Sequence, residues 1–391
     1  MSTHDPFRSN LPGMPALYVP TRIYAGAGAS EGLTAILRSL GRSRVLLLSG
    51  KHFSRNLAEQ IQERLKSPGI SCELLSGIDS EPDSDSLDRM SSEVKARCPD
   101  AMIAVGGGSV MDAGKYLAAW TANGGGCVDY EKGRSFDRPG VPLITVPTVA
   151  GSGSEVTPYS VINSSATGRK FTLRSARLWP FAAWVDAGLT AGAGANVTIP
   201  PALDAWTHCL ECRLSRESTG FSDLFAGEGM ALIQQWLGKT LHDGADLEGR
   251  SALSRASILG GIAISHVRTG MVHTLSVALA PHVKLAHGWL NAIILPHVLN
   301  FNKGCYGMKL RRIAADLSGQ PAGDDDRAIA AIREWLDTLQ VPRDLASHRP
   351  PGLSVVRDRI LEDQGLPAVS MRPFTAGDVE EIVNSVLGRS R

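Results

Sequence analysis

No charge of one sign dominates this sequence. Across 391 residues, 40 Lys and Arg stand against 39 Asp and Glu, a formal net charge of +1. A chain so balanced has no field to draw in a polyanion, so nucleic acid is not an expected partner. Long apolar runs are missing too: no window approaches the roughly 20 apolar residues that span a bilayer. The start, MSTHDPFRSNLPGMPALYVP, lacks the basic end and apolar run of a secretory signal. The expectation is a cytoplasmic protein with no membrane partner. Cysteine is scarce and scattered (Cys72, Cys98, Cys127, Cys209, Cys212, Cys305), which fits a reducing compartment rather than a disulfide scaffold. Cys209 and Cys212 form one CxxC, and without a second pair to complete a structural zinc site they read as two thiols on a helix.

What is present points to two units, because a chain of this length is too long for one ordinary core. In the first half, apolar runs ending in loops (SRVLLLSG, AMIAVGGGS, VPLITVPT) alternate with amphipathic stretches (SEGLTAILRSL, NLAEQIQERLKS). That alternation predicts a parallel sheet with helices between its strands. After about residue 192 only helical patterns follow, closing with a capping box at Thr375 and Asp378. The expected division is therefore 1–192 as an α/β unit, Rossmann-like, and 193–391 as an all-helical unit.

The chemistry-bearing stretches are few. In AVGGGSVMDAGK a strand runs into Gly106, Gly107 and Gly108, and Ser109 and Asp112 have the spacing of a helix cap. Backbone N–H groups and a positive helix end suit a pyrophosphate, although a tight structural turn reads the same way, and Asp112 either caps the helix or touches a cofactor. In TVPTVAGSGSEVTP small hydroxyl residues and glycines, including Thr148, Ser152 and Ser154, would let a ligand lie against the backbone. Asp204 and His208 are four apart, so on a helix they share a face, either as metal ligands or as a surface hydrogen bond. His273 and His287 would lie about 21 Å apart on a straight helix, but Pro281 between them allows the segment to fold back. One carboxylate and three imidazoles, Asp204, His208, His273 and His287, then suit Fe2+ or Zn2+ with room for a substrate oxygen. His297 reads as a hydrogen-bonded core histidine outside that set.

Together the motifs GGGSVMDAGK, PTVAGSGSEVTP, LDAWTHCLE, HTLSVALAPHVKLAHG and LNAIILPHVLNFN, in this order from about residue 15 to beyond 300, resemble the iron-containing (group III) alcohol dehydrogenases. The resemblance implies a dehydroquinate synthase-like architecture, with a dinucleotide-binding α/β domain, a helical domain and a cleft between them. It also implies a homodimer and hydride transfer between NAD(P) and a small alcohol or aldehyde. By position, Asp204, His208, His273 and His287 correspond to the metal ligands, and Gly106, Gly107, Gly108 and Ser109 to the pyrophosphate loop. Gly50, Asp112, Thr148, Ser152, Lys170 and Leu189 fall along the rest of the cofactor groove.

Departures from the family pattern matter as much. Where many members carry a histidine four residues past the third ligand, this chain has Val277, leaving His282 as the nearest substitute for proton transfer. Where an acid often closes the second strand, the chain reads Ser49, Gly50, Lys51, so NADPH is expected to be accepted at least as readily as NADH. His266, Arg268 and Thr269 precede the third ligand and Lys284 lies between ligands, which points to an anionic aldehyde bound by Arg268, unless Arg268 pairs with an acid such as Glu155. Two alternatives stand beside the dehydrogenase: a metal-dependent lyase or sugar-phosphate enzyme of the dehydroquinate-synthase kind, and a non-catalytic family member.

Overall fold

The computed structural model describes residues 17–348 and 353–389. The N-terminal stretch expected to carry no secretory signal lies, up to residue 16, outside them. Eight strands are formed: β1 (Arg22–Ala25), β2 (Arg44–Gly50), β3 (Ser71–Ile78), β4 (Ala101–Gly106), β5 (Leu143–Pro147), β6 (Tyr159–Asn163), β7 (Lys170–Arg174) and β8 (Ala182–Val185), among the described residues. Six of them make one sheet in the order β1-β8-β5-β4-β2-β3, with every neighbouring pair parallel. β6 and β7 form a separate antiparallel hairpin.

The central strands are apolar runs because both faces of the sheet are covered. Successive side chains point to opposite faces, and the packing follows. Val45 and Leu47 of β2 join Ile103, Ile144 and Val146 under α1 (Leu33–Ser39) and α2 (Phe53–Leu65). Leu46 and Leu48 join Met102 and Ala104 on the other face, under α3 (Ser84–Arg97), α4 (Gly108–Asn123) and α5 (Cys127–Glu131). All these strands end at the same edge of the sheet, so their carboxyl ends deliver the glycine turn after β4 and the hydroxyl-rich loop after β5 side by side. Thr148 N–H donates to the Gly106 carbonyl at 3.1 Å, which ties the two together.

From Ala195 onward the chain is helical: α6 (Ala195–Leu214), α7 (Gly220–His242), α8 (Leu247–His266), α9 (Met271–Leu279) and α10 (His287–Phe301), then α11 (Met308–Ser318), α12 (Asp325–Thr338), α13 (Leu353–Glu362), α14 (Leu366–Val369) and α15 (Ala376–Val386). They share a core built around Trp206, Leu210, Ile233, Leu275, Leu290 and Ile294. The Thr375–Asp378 capping box opens α15 as its spacing implies. Cys209 and Cys212 are both buried in α6, and burial pushes the Cys209 thiol up to about 12, so these sulfurs behave as core packing.

The two halves pack closely against each other. Val156, Ala183 and Val185 pack on Ile258 and Ile262 of α8. Gly153, at φ +64, meets Gly261 so closely that a Cβ on Gly153 would stand 2.5 Å from the Gly261 Cα. Glycine on both sides is what lets backbone touch backbone there. Among the described residues, no helix is long and apolar enough to cross a membrane.

Candidate metal and nucleotide site

Asp204 and His208 lie one turn apart on α6, and Glu211 follows on the same face. α9 supplies His273. Its end at Leu279, a single 3-10 turn at Ala280–His282 and a short extended stretch reverse the chain, so that α10 begins at His287. Pro281 sits in that turn, and the fold-back brings the four residues together. Nε2 atoms of His208, His273 and His287 lie 3.8, 3.4 and 3.7 Å from one oxygen, Oδ1 of Asp204. Donor atoms of Asp204, His208 and His273 all lie within 4.8 Å of one another. Two ligands on the tetrahedral shell of a zinc-sized ion, at about 2.0–2.1 Å from it, are separated by about 3.3 Å, so the set is spaced to hold a divalent ion with small adjustments. Asp204, His208 and His273 are buried, whereas the His287 side chain is 37% exposed and marks the open side.

Electrostatics agree with that geometry. Burial opposes the charge on Asp204, but His208, His287 and His273 overcome it and hold the carboxyl well below its usual range. Burial pushes His208 and His287 down to about 4, which leaves them as neutral imidazoles with lone pairs to offer. His273 is different: burial works against its charge, yet hydrogen bonds to Asp204 and Glu211 raise it to about 9. Glu211 Oε2 accepts from His273 Nδ1 at 2.6 Å, and Ser276 Oγ lies 3.0 Å from His287 Nδ1. Each partner holds its ring so that Nε2 faces inward. Asn291, one turn beyond His287, donates to Asp204 Oδ1 at 2.8 Å. His208 Nδ1 is buried without a hydrogen-bond partner.

Of the residues expected on the nucleotide side, the glycine turn, Thr148 and Ser152 lie together. α4 is capped by Gly107, not by Ser109. Ser109 lies inside the helix and its hydroxyl donates to the Ser80 carbonyl. The N–H groups of Gly108 and Ser109 precede the first intrahelical bonds, made by Val110 and Met111 to the Gly107 carbonyl, so the helix end is open to an anion. A Cβ on Gly108 would stand 2.8 Å from Ser152 Oγ, which keeps the loop and the serine together. Asp112 does not cap the helix. Its Oδ1 accepts from Ser154 Oγ at 2.5 Å and its Oδ2 from Val161 N–H at 3.0 Å, fastening α4 to the β6–β7 hairpin. Thr148 lines a narrow crevice with Thr190, Thr198, Arg250 and Leu253, and Leu189 is half-buried in the adjoining turn. Lys170, at the start of β7, pairs with Glu81 at 2.5 Å, and both act electrostatically on His287. Gly50 N–H donates to Ser54 Oγ at 3.0 Å.

Several of the charged residues have partners within the chain. Arg268 pairs with an acid, as one of its two readings had it, but with Asp363 rather than Glu155: two of its nitrogens bind that carboxylate at 2.9 and 2.7 Å. His266 donates from Nδ1 to the Ile262 carbonyl and accepts Tyr18 N–H at Nε2, so both ring nitrogens are used within the protein. A carboxylate does stand near the end of β2, because Asp79 pairs with Lys51 at 2.5 Å. His282 is exposed on the 3-10 turn and Val277 is half-buried on α9. His297 binds Ser385 Oγ and the Arg343 carbonyl, away from the four donors, and is half-buried rather than in the core.

A family profile described as iron-containing alcohol dehydrogenase matches residues 20–187, and the C-terminal profile of the Fe-containing alcohol dehydrogenase family matches residues 198–387. The chain belongs to the iron-containing alcohol dehydrogenase family. It is 28% identical over 385 residues to an NAD-dependent methanol dehydrogenase of Bacillus methanolicus, covering 96% of this chain and 100% of that protein. It is 31% identical over 358 residues to the probable alcohol dehydrogenase EutG of Salmonella typhimurium, covering 90% of each. An iron-containing alcohol dehydrogenase structure from Thermococcus thioreducens superposes with a TM-score of 0.86 at 25% identity, over 96% of this chain and 100% of that one. Membership in the iron-containing alcohol dehydrogenases makes the chain an alcohol or aldehyde oxidoreductase of a family that binds a divalent metal and NAD(H), and it does not favour the lyase alternative. The parallel sheet followed by helices fits the dehydroquinate synthase-like architecture.

Proposed function

We propose that this protein reduces a small, uncharged aldehyde to a primary alcohol, and runs the reverse oxidation, using a nicotinamide nucleotide and a divalent cation held by Asp204, His208, His273 and His287. The observation that carries the reading is the facing of three imidazole Nε2 atoms toward Asp204 Oδ1, with three of the four residues buried and His287 at the open side. When bound, the cation supplies Lewis acidity to the substrate oxygen and the nucleotide supplies or accepts hydride at the adjacent carbon. The chain does the rest. Glu211 and Ser276 orient two of the rings, the open end of α4 receives the pyrophosphate, and Thr148 and Ser152 offer hydroxyls along the groove. Val277 has no proton to give, whereas His282, exposed between the two ligand helices, is a titratable group able to exchange one with solvent.

An uncharged substrate is favoured because Arg268 and Lys170, two of the basic residues near the ligands, are already paired with carboxylates, which leaves the exposed Lys284 as the group an ionised aldehyde would have to find. Arg268 is held by Asp363 and Lys170 by Glu81, and His266, which donates from Nδ1 and accepts at Nε2, is a neutral ring with no charge to offer. The test is elemental analysis of purified protein together with nucleotide oxidation on propanal and on succinate semialdehyde. Bound metal, turnover lost after stringent chelation and restored by added Fe2+ or Zn2+, and a preference for propanal are expected. Undiminished turnover without metal would sink the metal reading, and a strong preference for the ionised aldehyde would sink the substrate reading.

A further inference from the structure

In a sheet of this kind, a carboxylate at the end of the second strand holds the adenosine ribose 2′-OH and discriminates against a 2′-phosphate. Here β2 ends at Gly50, whose N–H is held by Ser54 Oγ, so the strand's own end carries no acid. The neighbouring strand supplies one. β3 runs parallel to β2 with Ile78 opposite Gly50, so Asp79 is carried to the same corner. Its Oδ1 lies 2.5 Å from Lys51 Nζ, and the two side chains are 53% and 51% exposed, open to a ligand. The corner is tied to the glycine turn, since the Ser80 carbonyl beside Asp79 accepts the hydroxyl of Ser109. With β4, β2 and β3 adjacent in that order, strand spacing places Lys51 roughly 5 Å and Asp79 roughly 10 Å along the sheet edge from the turn after β4. An adenosine extends in that direction from a pyrophosphate held at the turn.

We propose that Asp79 is the residue that sets cofactor selectivity in this chain, and that it favours NADH. The proposal rests on the dehydrogenase reading above. The Asp79 carboxylate accepts the ribose 2′-OH, repels a 2′-phosphate, and occupies the charge on Lys51 that would otherwise attract that phosphate. Between half-exposed groups in a screened, water-like medium, this repulsion is expected to change the dissociation constant about five- to tenfold.

The test is equilibrium binding of NADH and of NADPH to the metal-loaded full chain, read by calorimetry without substrate. Wild type is expected to bind NADH more tightly. Asp79→Asn is expected to tighten NADPH about five- to tenfold while weakening NADH slightly, with the gain shrinking at high salt. Adding Lys51→Ala to Asp79→Asn should remove the gain, because the freed ammonium causes it. Lys51→Ala alone provides a second variant of the same pair should Asp79→Asn fold poorly, and it should weaken NADPH more than NADH. An NADPH-to-NADH ratio that stays within about twofold of wild type in Asp79→Asn overturns the proposal, as does a wild type that prefers NADPH. If folded wild type binds neither nucleotide, the dehydrogenase reading falls with it. If both bind and the ratio does not move, only the assignment to Asp79 falls.

Discussion

Glu211 Oε2 lies 2.6 Å from Nδ1 of His273, and the same carboxylate accepts the N–H groups of Gly270 and Val272 at 3.0 and 2.7 Å. One side chain of α6 therefore fixes both the start of α9 and the direction of the His273 ring. A carboxylate behind a ligating histidine typically contributes 10- to 100-fold in metal affinity. Glu211→Gln should weaken Zn2+ or Fe2+ binding by about that factor, as read by equilibrium dialysis with elemental analysis. Unchanged affinity would remove Glu211 from the site.

The bidentate pair of Arg268 and Asp363 joins the α8–α9 turn to the segment after α13. Arg268→Ala should slow reduction of neutral and ionised aldehydes alike, and lower stability by about 1 kcal/mol, since the pair is partly exposed. Selective loss with ionised aldehydes would restore Arg268 to the substrate pocket.

That pair also has a pH signature. Burial works against the Asp363 charge, but its bonds to Arg268 overcome this and hold the carboxyl below its usual range. Its folded value is lower than its unfolded one, so its contribution is complete above the unfolded value of about 3.9 and disappears as pH falls through the folded value. In urea unfolding, the gap between wild type and Asp363→Asn should be constant from neutral pH to about 5 and shrink as pH falls below about 4. A gap that grows on acidification would contradict this sign.

Gly261 leaves no space for a side chain. A Cβ there would stand 2.6 Å from the Gly153 carbonyl oxygen and 2.8 Å from Val156 Cγ2. Gly261→Ala should cost roughly 1–3 kcal/mol. It should also weaken nucleotide binding, because the loop it displaces carries Ser152. Unaltered binding would show that the loop adapts without moving the groove.

His297 offers a control on the ligand set. His297→Ala breaks its bonds to Ser385 and the Arg343 carbonyl and should cost about 1 kcal/mol in thermal or urea unfolding, with metal content unchanged. A loss of metal would mean that it supports the site.

Much of this was legible in the sequence, and the limits have physical causes. Apolar runs bounded by glycine announce β2, β4 and β5, and the four donors could be picked out because Pro281 forbids a single helix through His273 and His287. Glu211 and Asn291 passed unnoticed, although helical spacing carries both: Glu211 follows His208 by three residues, and Asn291 follows His287 by four. The short edge strand β1 has no such signal, since all four of its residues are exposed. The partners of Arg268 and Lys51 are long-range pairings across turns, and no local pattern records that Asp363 meets Arg268 or that Asp79 meets Lys51.

Asp204, His208, His273 and His287 all hang from α6, α9 and α10, while the glycine turn, Thr148 and Ser152 belong to the sheet. On the proposed reading, ion and nucleotide would thus be gripped by separate jaws, which meet at the Gly153–Gly261 seam among other contacts. A swing of one jaw against the other would change how far hydride must travel while leaving the ion's own grip untouched, so loading of the ion and timing of the transfer can be tuned independently.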